Sequence, residues 1–245
     1  MDFVLGVLAG IAATVICGAA VRSRRRLQRR HPLTHTLEHI VHDNWSVVLP
    51  EGLALPPPPD PRQPDQIGVQ QVYGLLHHAG AIDQRTTSYR LVFTNVSDVW
   101  LHILDVRVVN AKRTPPIQGR HITCPSAGGN DALVLLFDLD TDARVAWQSD
   151  WLGNKLGDTP YFPNHNISLQ PGEVFPVELL FTTNTFSCEL QLETEIEVDG
   201  RRTVVPLLEG DRKIRVTGEP DDGFGERLIW AWHDPENPNF RAPDW

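Results

Sequence analysis

The sequence predicts a mainly β protein, an antiparallel β-sandwich carried behind a single N-terminal transmembrane helix. Three observations predict it. Residues 3–21 hold no charged side chain, and six arginines follow within nine residues. Residues 186–198, "FSCELQLETEIEV", alternate apolar and polar side chains, as a strand with one wet face does. Between residues 67 and 218 such runs recur at short intervals, separated by Gly, Pro, Asn and Asp, which is the spacing of a sandwich.

The apolar run of 19 residues is close to the ~20 needed to cross a hydrocarbon core as a helix. A cleaved signal peptide would open with a positive region, whereas Asp2 is the only side-chain charge ahead of this run. The run therefore reads as a retained anchor. Arg22, Arg24, Arg25, Arg26, Arg29 and Arg30 follow it, and basic flanks stay on the cytoplasmic side. The expected topology puts the N-terminus outside and residues 22–245 in the cytoplasm. Gly6, Gly10, Thr14 and Gly18 recur every four residues, a spacing that lets two membrane helices approach as a homodimer.

Charge is segregated along the chain. The whole sequence carries −9, but residues 31–245 hold 16 basic against 30 acidic side chains, a net of −14. So acidic a body repels nucleic acid and the anionic membrane surface alike, which argues against polyanion binding outside the arginine cluster and against nucleic acid as a partner. Only three of the 22 basic residues are lysines, a bias that suits a GC-rich bacterial genome.

Four segments follow from these patterns: anchor and basic flank (1–30), juxtamembrane segment with proline spacer (31–66), sandwich (67–218), and acidic tail (219–245). The spacer is "ALPPPPDPRQPD" at 54–65. Consecutive prolines favour an extended polyproline helix, which here would lift the sandwich off the bilayer.

Within the sandwich the clearest strand is 186–198. Cys188, Leu190, Leu192, Ile196 and Val198 fall on one face and Glu189, Gln191, Glu193, Glu195 and Glu197 on the other. Asp199-Gly200 is a favoured hairpin turn, and "RRTVVPL" reads as the returning strand. Tyr89, Leu91 and Phe93 alternate likewise, as do Leu104, Val106 and Val108, and Phe175, Val177, Leu179 and Phe181. "IGVQQVYGLL", "RHITC", "ALVLLFDL", "RVAWQ" and "RKIRVTG" complete eight to ten strands. "ISLQPGEVFPVELLF" (167–181) resembles the strand–turn–strand of immunoglobulin-like and fibronectin-like modules. That resemblance covers fifteen residues and implies a fold class without functional residues.

The tail holds seven acidic residues against two arginines, yet also Trp230, Trp232, Phe240 and Trp245. "FGERLIWAW" reads as a short helix packing its aromatics back onto the sandwich. The alternative makes Trp230, Trp232 and Trp245 a docking motif, since aromatics dominate interface energetics.

The sharpest chemical motif is "HTLEH" at 35–39. On a helix, H-x-x-E-H sets His35 and His39 one turn apart with Glu38 beside them to activate a metal-bound water. The motif precedes the spacer, close to the anchor, and the chain is β-rich. It reads as part of a short juxtamembrane helix rather than a zinc centre. Asp138, Asp140 and Asp142 begin a calcium-loop spacing, but its glycine and closing glutamate are missing. Cys124 and Cys188 are read as reduced core thiols in a cytoplasmic domain, while an exterior domain would join them in a disulfide. Asn44, Asn95 and Asn166 each begin an N-x-S triplet that carries no weight in a cytoplasmic domain. No catalytic, metal-ligating or cofactor-binding residue is assigned. The expectation is a membrane-anchored interaction or scaffolding module that is not an enzyme and binds an unidentified protein partner. The alternatives are a disulfide-stapled surface module outside the cytoplasm and a membrane-bound zinc hydrolase.

Overall fold

The computed structural model describes residues 31–42, 44–59, 68–125, 133–141, 145–150, 153–231 and 239–243. Its elements are β1 (Leu33–Ile40), β2 (Trp45–Pro50), α1 (Val69–His78), β3 (Ile82–Gln84), β4 (Thr86–Asn95), β5 (Leu101–Thr114), β6 (Gly119–Cys124) and β7 (Val134–Asp138). They continue with β8 (Trp147–Ser149), β9 (Ile167–Leu169), β10 (Val174–Thr182), β11 (Ser187–Val198), β12 (Arg201–Pro206), β13 (Ile214–Thr217), β14 (Glu226–Trp230) and β15 (Phe240–Arg241). The protein is mainly β, with two sheets. The smaller runs β1-β4-β10-β7-β8. The larger runs β15-β14-β6-β2-β3-β13-β11-β5-β9, with β12 beside β11. Pairing is not wholly antiparallel: β10 with β7, β13 with β3 and β14 with β6 are parallel.

The main core lies between the sheets. Leu91, Phe93, Phe137 and Phe181 come from the smaller sheet, and Ile103, Leu169, Leu190, Leu192 and Val216 from the larger. Phe137 and Phe181 stack at 5.0 Å. The alternation expected in β11 is observed, with Thr194 also buried and donating to the Asp105 carbonyl at 2.8 Å. The Asp199-Gly200 turn forms as expected, both residues at positive φ (50° and 72°), which a two-residue hairpin of this twist requires. In β5 the phase slips. Ile103 and Val106 are buried and Leu104 is not, because a bulge opposite Glu195 and Ile196 places an extra residue there.

Four expectations are corrected. "VQQVYGLL" is helix, not strand. Val72, Tyr73 and Leu76 are its buried face, and their spacing is helical. "HTLEH" is strand, not helix, lying in β1 paired along its length with β4. The proline-rich stretch does not separate a juxtamembrane segment from the sandwich. β1 precedes it in the smaller sheet and β2 in the larger, so it is a connection within the β structure. At the other end, the "GERLIW" run is β14 rather than helix, joined to β6. Among the described residues no helix is long and apolar enough to cross a membrane; residues 3–21 lie outside them.

A second core sits at one end of the larger sheet, where α1 covers β2, β6 and β14. It contains Trp45, Val47, Leu49, Val72, Leu76, Ile122 and Trp230. The Trp45 indole N–H donates to the Val69 carbonyl at 3.0 Å and ties down the first turn of α1. The last turn closes in a Schellman motif. The Gly80 N–H reaches the His77 carbonyl and the Ala81 N–H the Leu76 carbonyl, both at 3.0 Å, with Gly80 at φ 98°. This stop turns the chain directly into β3.

Candidate functional site

Asp83 lies where the two cores meet. The chain crosses from the larger sheet to the smaller at Arg85, at φ 63°, so Asp83 on β3 faces Thr87 and Tyr89 at the start of β4. β1 pairs with β4 and sets His39 opposite Tyr89, their rings stacked at 4.7 Å. α1 presents Tyr73 and His77, four residues apart and so on one helix face. Six side chains from four elements thereby converge.

The Asp83 carboxylate is 6 % exposed, while the His39 and His77 side chains are 27 % and 28 % exposed. The Tyr73 hydroxyl donates to Asp83 Oδ1 at 2.5 Å, and His77 Nε2 approaches the same oxygen at 3.0 Å. His39 Nε2 meets Oδ2 at 3.0 Å, with the Thr87 and Tyr73 hydroxyl oxygens equally near. Burial alone would raise the Asp83 carboxyl pKa, but the hydrogen bonds and positive charge of His39 and His77 outweigh it and hold it well below the ordinary range. Burial and the neighbouring Asp83 charge push the Tyr73 and Tyr89 phenols far up. A carboxylate can only accept, so Nε2 of His39 and Nε2 of His77 each donate to Asp83. The arrangement can orient imidazoles and pass protons at a partly open surface. Both rings donate to a carboxylate whose lone pairs they already occupy. Among the described residues no group of three or more His, Cys, Asp and Glu is placed to hold a metal ion.

On the opposite face of the larger sheet, His121 Nε2 lies 2.6 Å from Ser46 Oγ and the ring stacks on Phe224 at 4.7 Å. Burial first and then the Arg227 charge lower the imidazole to about 4; Glu219 opposes them, and Arg85 adds a smaller push in the same direction as Arg227. The Ser46 hydroxyl donates to Gln84 Oε1 at 3.2 Å, so the ring meets an oxygen whose proton is already placed.

The residues singled out in sequence are dispersed. His35 and His39 share one face of β1 with Glu38 on the other. Four strand residues separate the imidazoles by roughly 13 Å, so the helical H-x-x-E-H geometry does not form. His35 Nε2 is 3.2 Å from the Leu207 carbonyl, and His42 pairs with Glu178 at 3.2 Å. Asp140 receives the Thr183 hydroxyl at 2.8 Å and the Asn184 and Thr185 amides at 2.6 and 3.2 Å, so it caps a turn. Asp138 pairs with Lys155 at 3.1 Å; Asp142 lies outside the described residues. Cys188 belongs to the main core and Cys124 to the second, and no disulfide joins them. Trp230 is fully buried and packs on Phe240 at 5.0 Å, which leaves it no face for a partner. Trp232, Trp245, the six flanking arginines and Gly6, Gly10, Thr14 and Gly18 lie outside the described residues.

Sequence reasoning missed Tyr73, His77 and Asp83. The signal for the first two was present in Val69, Val72, Tyr73 and Leu76, whose spacing marks α1. Asp83 had none. The geometry defines a mainly β, two-sheet protein with a buried carboxylate–imidazole cluster at the sheet junction. Comparison with protein-family models, with curated proteins and with solved structures gives no match.

Proposed function

We propose that this chain is a membrane-anchored protein-interaction or scaffolding module, without catalytic activity of its own, built on an immunoglobulin- or fibronectin-like sandwich. Residues 3–21 cross the bilayer, the arginines keep residues 22–245 in the cytoplasm, and the sandwich meets a protein partner there. The observation that carries this reading is the uncharged run ending in six arginines, followed at residue 33 by a strand of the smaller sheet. Two buried thiols in separate cores suit a reducing compartment and speak against the disulfide-stapled alternative. The strand geometry of "HTLEH" speaks against the zinc hydrolase.

A reporter active on one side of the membrane only, fused after Trp245, tests the reading. A cytoplasmic signal is expected. An exterior signal overturns the topology and with it the search for cytosolic partners.

A further inference from the structure

The chain enters the sandwich at one definite end. The Val96 N–H donates to the Pro32 carbonyl at 2.9 Å, and Leu33 pairs with Asn95. The same end carries the start of β5, the end of β9, the start of β10 and the β11–β12 hairpin. Leu101 pairs with Leu169 and Val198, and Val198 with Arg201. Val174 pairs with Thr94.

Two of the few exposed large apolar side chains are here: Trp100 is 51 % and Val174 56 % exposed. Trp100 follows a loop that is held tightly. The buried Asn95 amide donates to the Val99 and Leu169 carbonyls at 2.8 and 3.0 Å, and its oxygen accepts from the Ser97 amide and hydroxyl at 3.0 and 2.7 Å. Such a frame presents the indole outward at little further entropic cost. Arg201 and Arg202 are exposed on the neighbouring hairpin, Arg202 leaning on Glu195 and Glu197. Asp98, Glu173, Glu197 and Asp199 are the acidic groups of this end.

Ten residues lie between Val21 and Pro32, eleven steps that span at most about 38 Å of extended chain. That is no more than the length of β5, so the tether holds this end of the sandwich closest to the membrane. Tryptophan prefers the headgroup level, where its ring is half dehydrated and its N–H still bonded, and arginines meet lipid phosphates.

We propose that this end rests on the phospholipid surface, with Trp100 seated among the headgroups, Val174 facing the same layer and Arg201 and Arg202 toward phosphate. The inference rests on residues 3–21 being a membrane anchor, and it names the bilayer as the ligand of the sandwich itself.

The test uses the full chain with Cys17→Ala, reconstituted in phosphatidylcholine vesicles containing one fifth phosphatidylglycerol. One reporter cysteine at a time is placed by Trp100→Cys, by Val174→Cys, which retains the tryptophan, or by Lys112→Cys, with the parent bearing only the buried Cys124 and Cys188 labelled in parallel as the blank. Lys112 is exposed, twelve residues along from Trp100 and so roughly 35–40 Å away. Each carries an environment-sensitive fluorophore. Brominated phosphatidylcholine is expected to quench positions 100 and 174 at least threefold more than 112, with a blue-shifted emission. Equal quenching at all three overturns the inference. So does shielding of 100 and 174 from aqueous iodide without lipid quenching, which assigns the surface to a protein. Alkaline carbonate extraction separates the two failures. Release of the chain sinks the anchor reading, whereas a retained chain with no lipid quenching sinks the contact alone.

Discussion

His39 and Asp83, 44 residues apart, join the two sheets through a 3.0 Å contact between Nε2 and Oδ2. β1 supplies the imidazole and β3 the carboxylate, while α1 closes the cluster with Tyr73 and His77. Asp83→Asn leaves one amide oxygen for three donors and sets its own N–H groups against them. A loss of about 2–3 kcal/mol is expected, since removing one partner of a buried polar set strands the others. Because the Asp83 carboxyl sits below its ordinary 3.8, its stabilisation is complete above that value and fades as pH falls beneath it. Urea midpoints measured from pH 6 to 2.5 should show the native protein losing this increment at the acid end and the variant lacking it. Parallel curves would remove Asp83 from the account.

The three tyrosines of the sequence are Tyr73, Tyr89 and Tyr161, and burial raises each phenol above its ordinary value. A raised acid leaves stability intact below pH 10 and erodes it above, because only the unfolded chain releases those protons readily. Absorbance at 295 nm should therefore stay low at pH 10 and rise only as near-ultraviolet circular dichroism collapses. Tyrosinate from more than one phenol at pH 10 in the folded protein would contradict the burial of Tyr73 and Tyr89, since Tyr161 is only partly covered.

Much of the β structure was legible because a strand with one wet face writes its own register. Cys188, Leu190 and Leu192 alternate with three polar side chains, and Asp199-Gly200 fixes the turn. α1 was not legible as helix because Val69, Val72 and Tyr73 are residues strands also favour, although their spacing with Leu76 is helical. The proline stretch misled for another reason. Local composition predicts its conformation, but not that β1 and β2 before it pair with strands far along the chain. The Asp83 cluster depends wholly on such long-range pairing, so Asp83 looked like any acidic residue beside a turn.

Gly119 faces Pro50 in the β2–β6 ladder, and a Cβ there would collide with the Leu49 carbonyl. Backbone cannot yield as a side-chain tip can, so Gly119→Ala should cost about 3 kcal/mol or prevent folding. Gly200 has open space around it but φ 72°, and Gly200→Ala should cost only about 1 kcal/mol. Thermal unfolding of the pair checks the order. Equal losses would mean that β2 and β6 do not approach so closely.

His121 gives the protein a second, distinct pH response. Its imidazole falls to about 4 because burial comes first and Arg227 adds repulsion, against the pull of Glu219 and with a smaller push from Arg85. A base whose pKa is lowered on folding is protonated more readily in the unfolded chain. Stability is therefore full above the ordinary value of 6.5 and declines as pH falls from there toward 4. Protonation would also charge a part-buried ring stacked on Phe224. Part of the ring meets solvent, which screens the effect, so the expected loss is about 1–2 kcal/mol across that window. His121→Gln has no charge to gain and should flatten the slope between pH 6.5 and 4, while leaving the Asp83 response below 4 in place. Urea titrations at half-unit steps, native against variant, isolate His121 because the other nine histidines are common to both. An unchanged slope would show that the imidazole is charged in the folded protein.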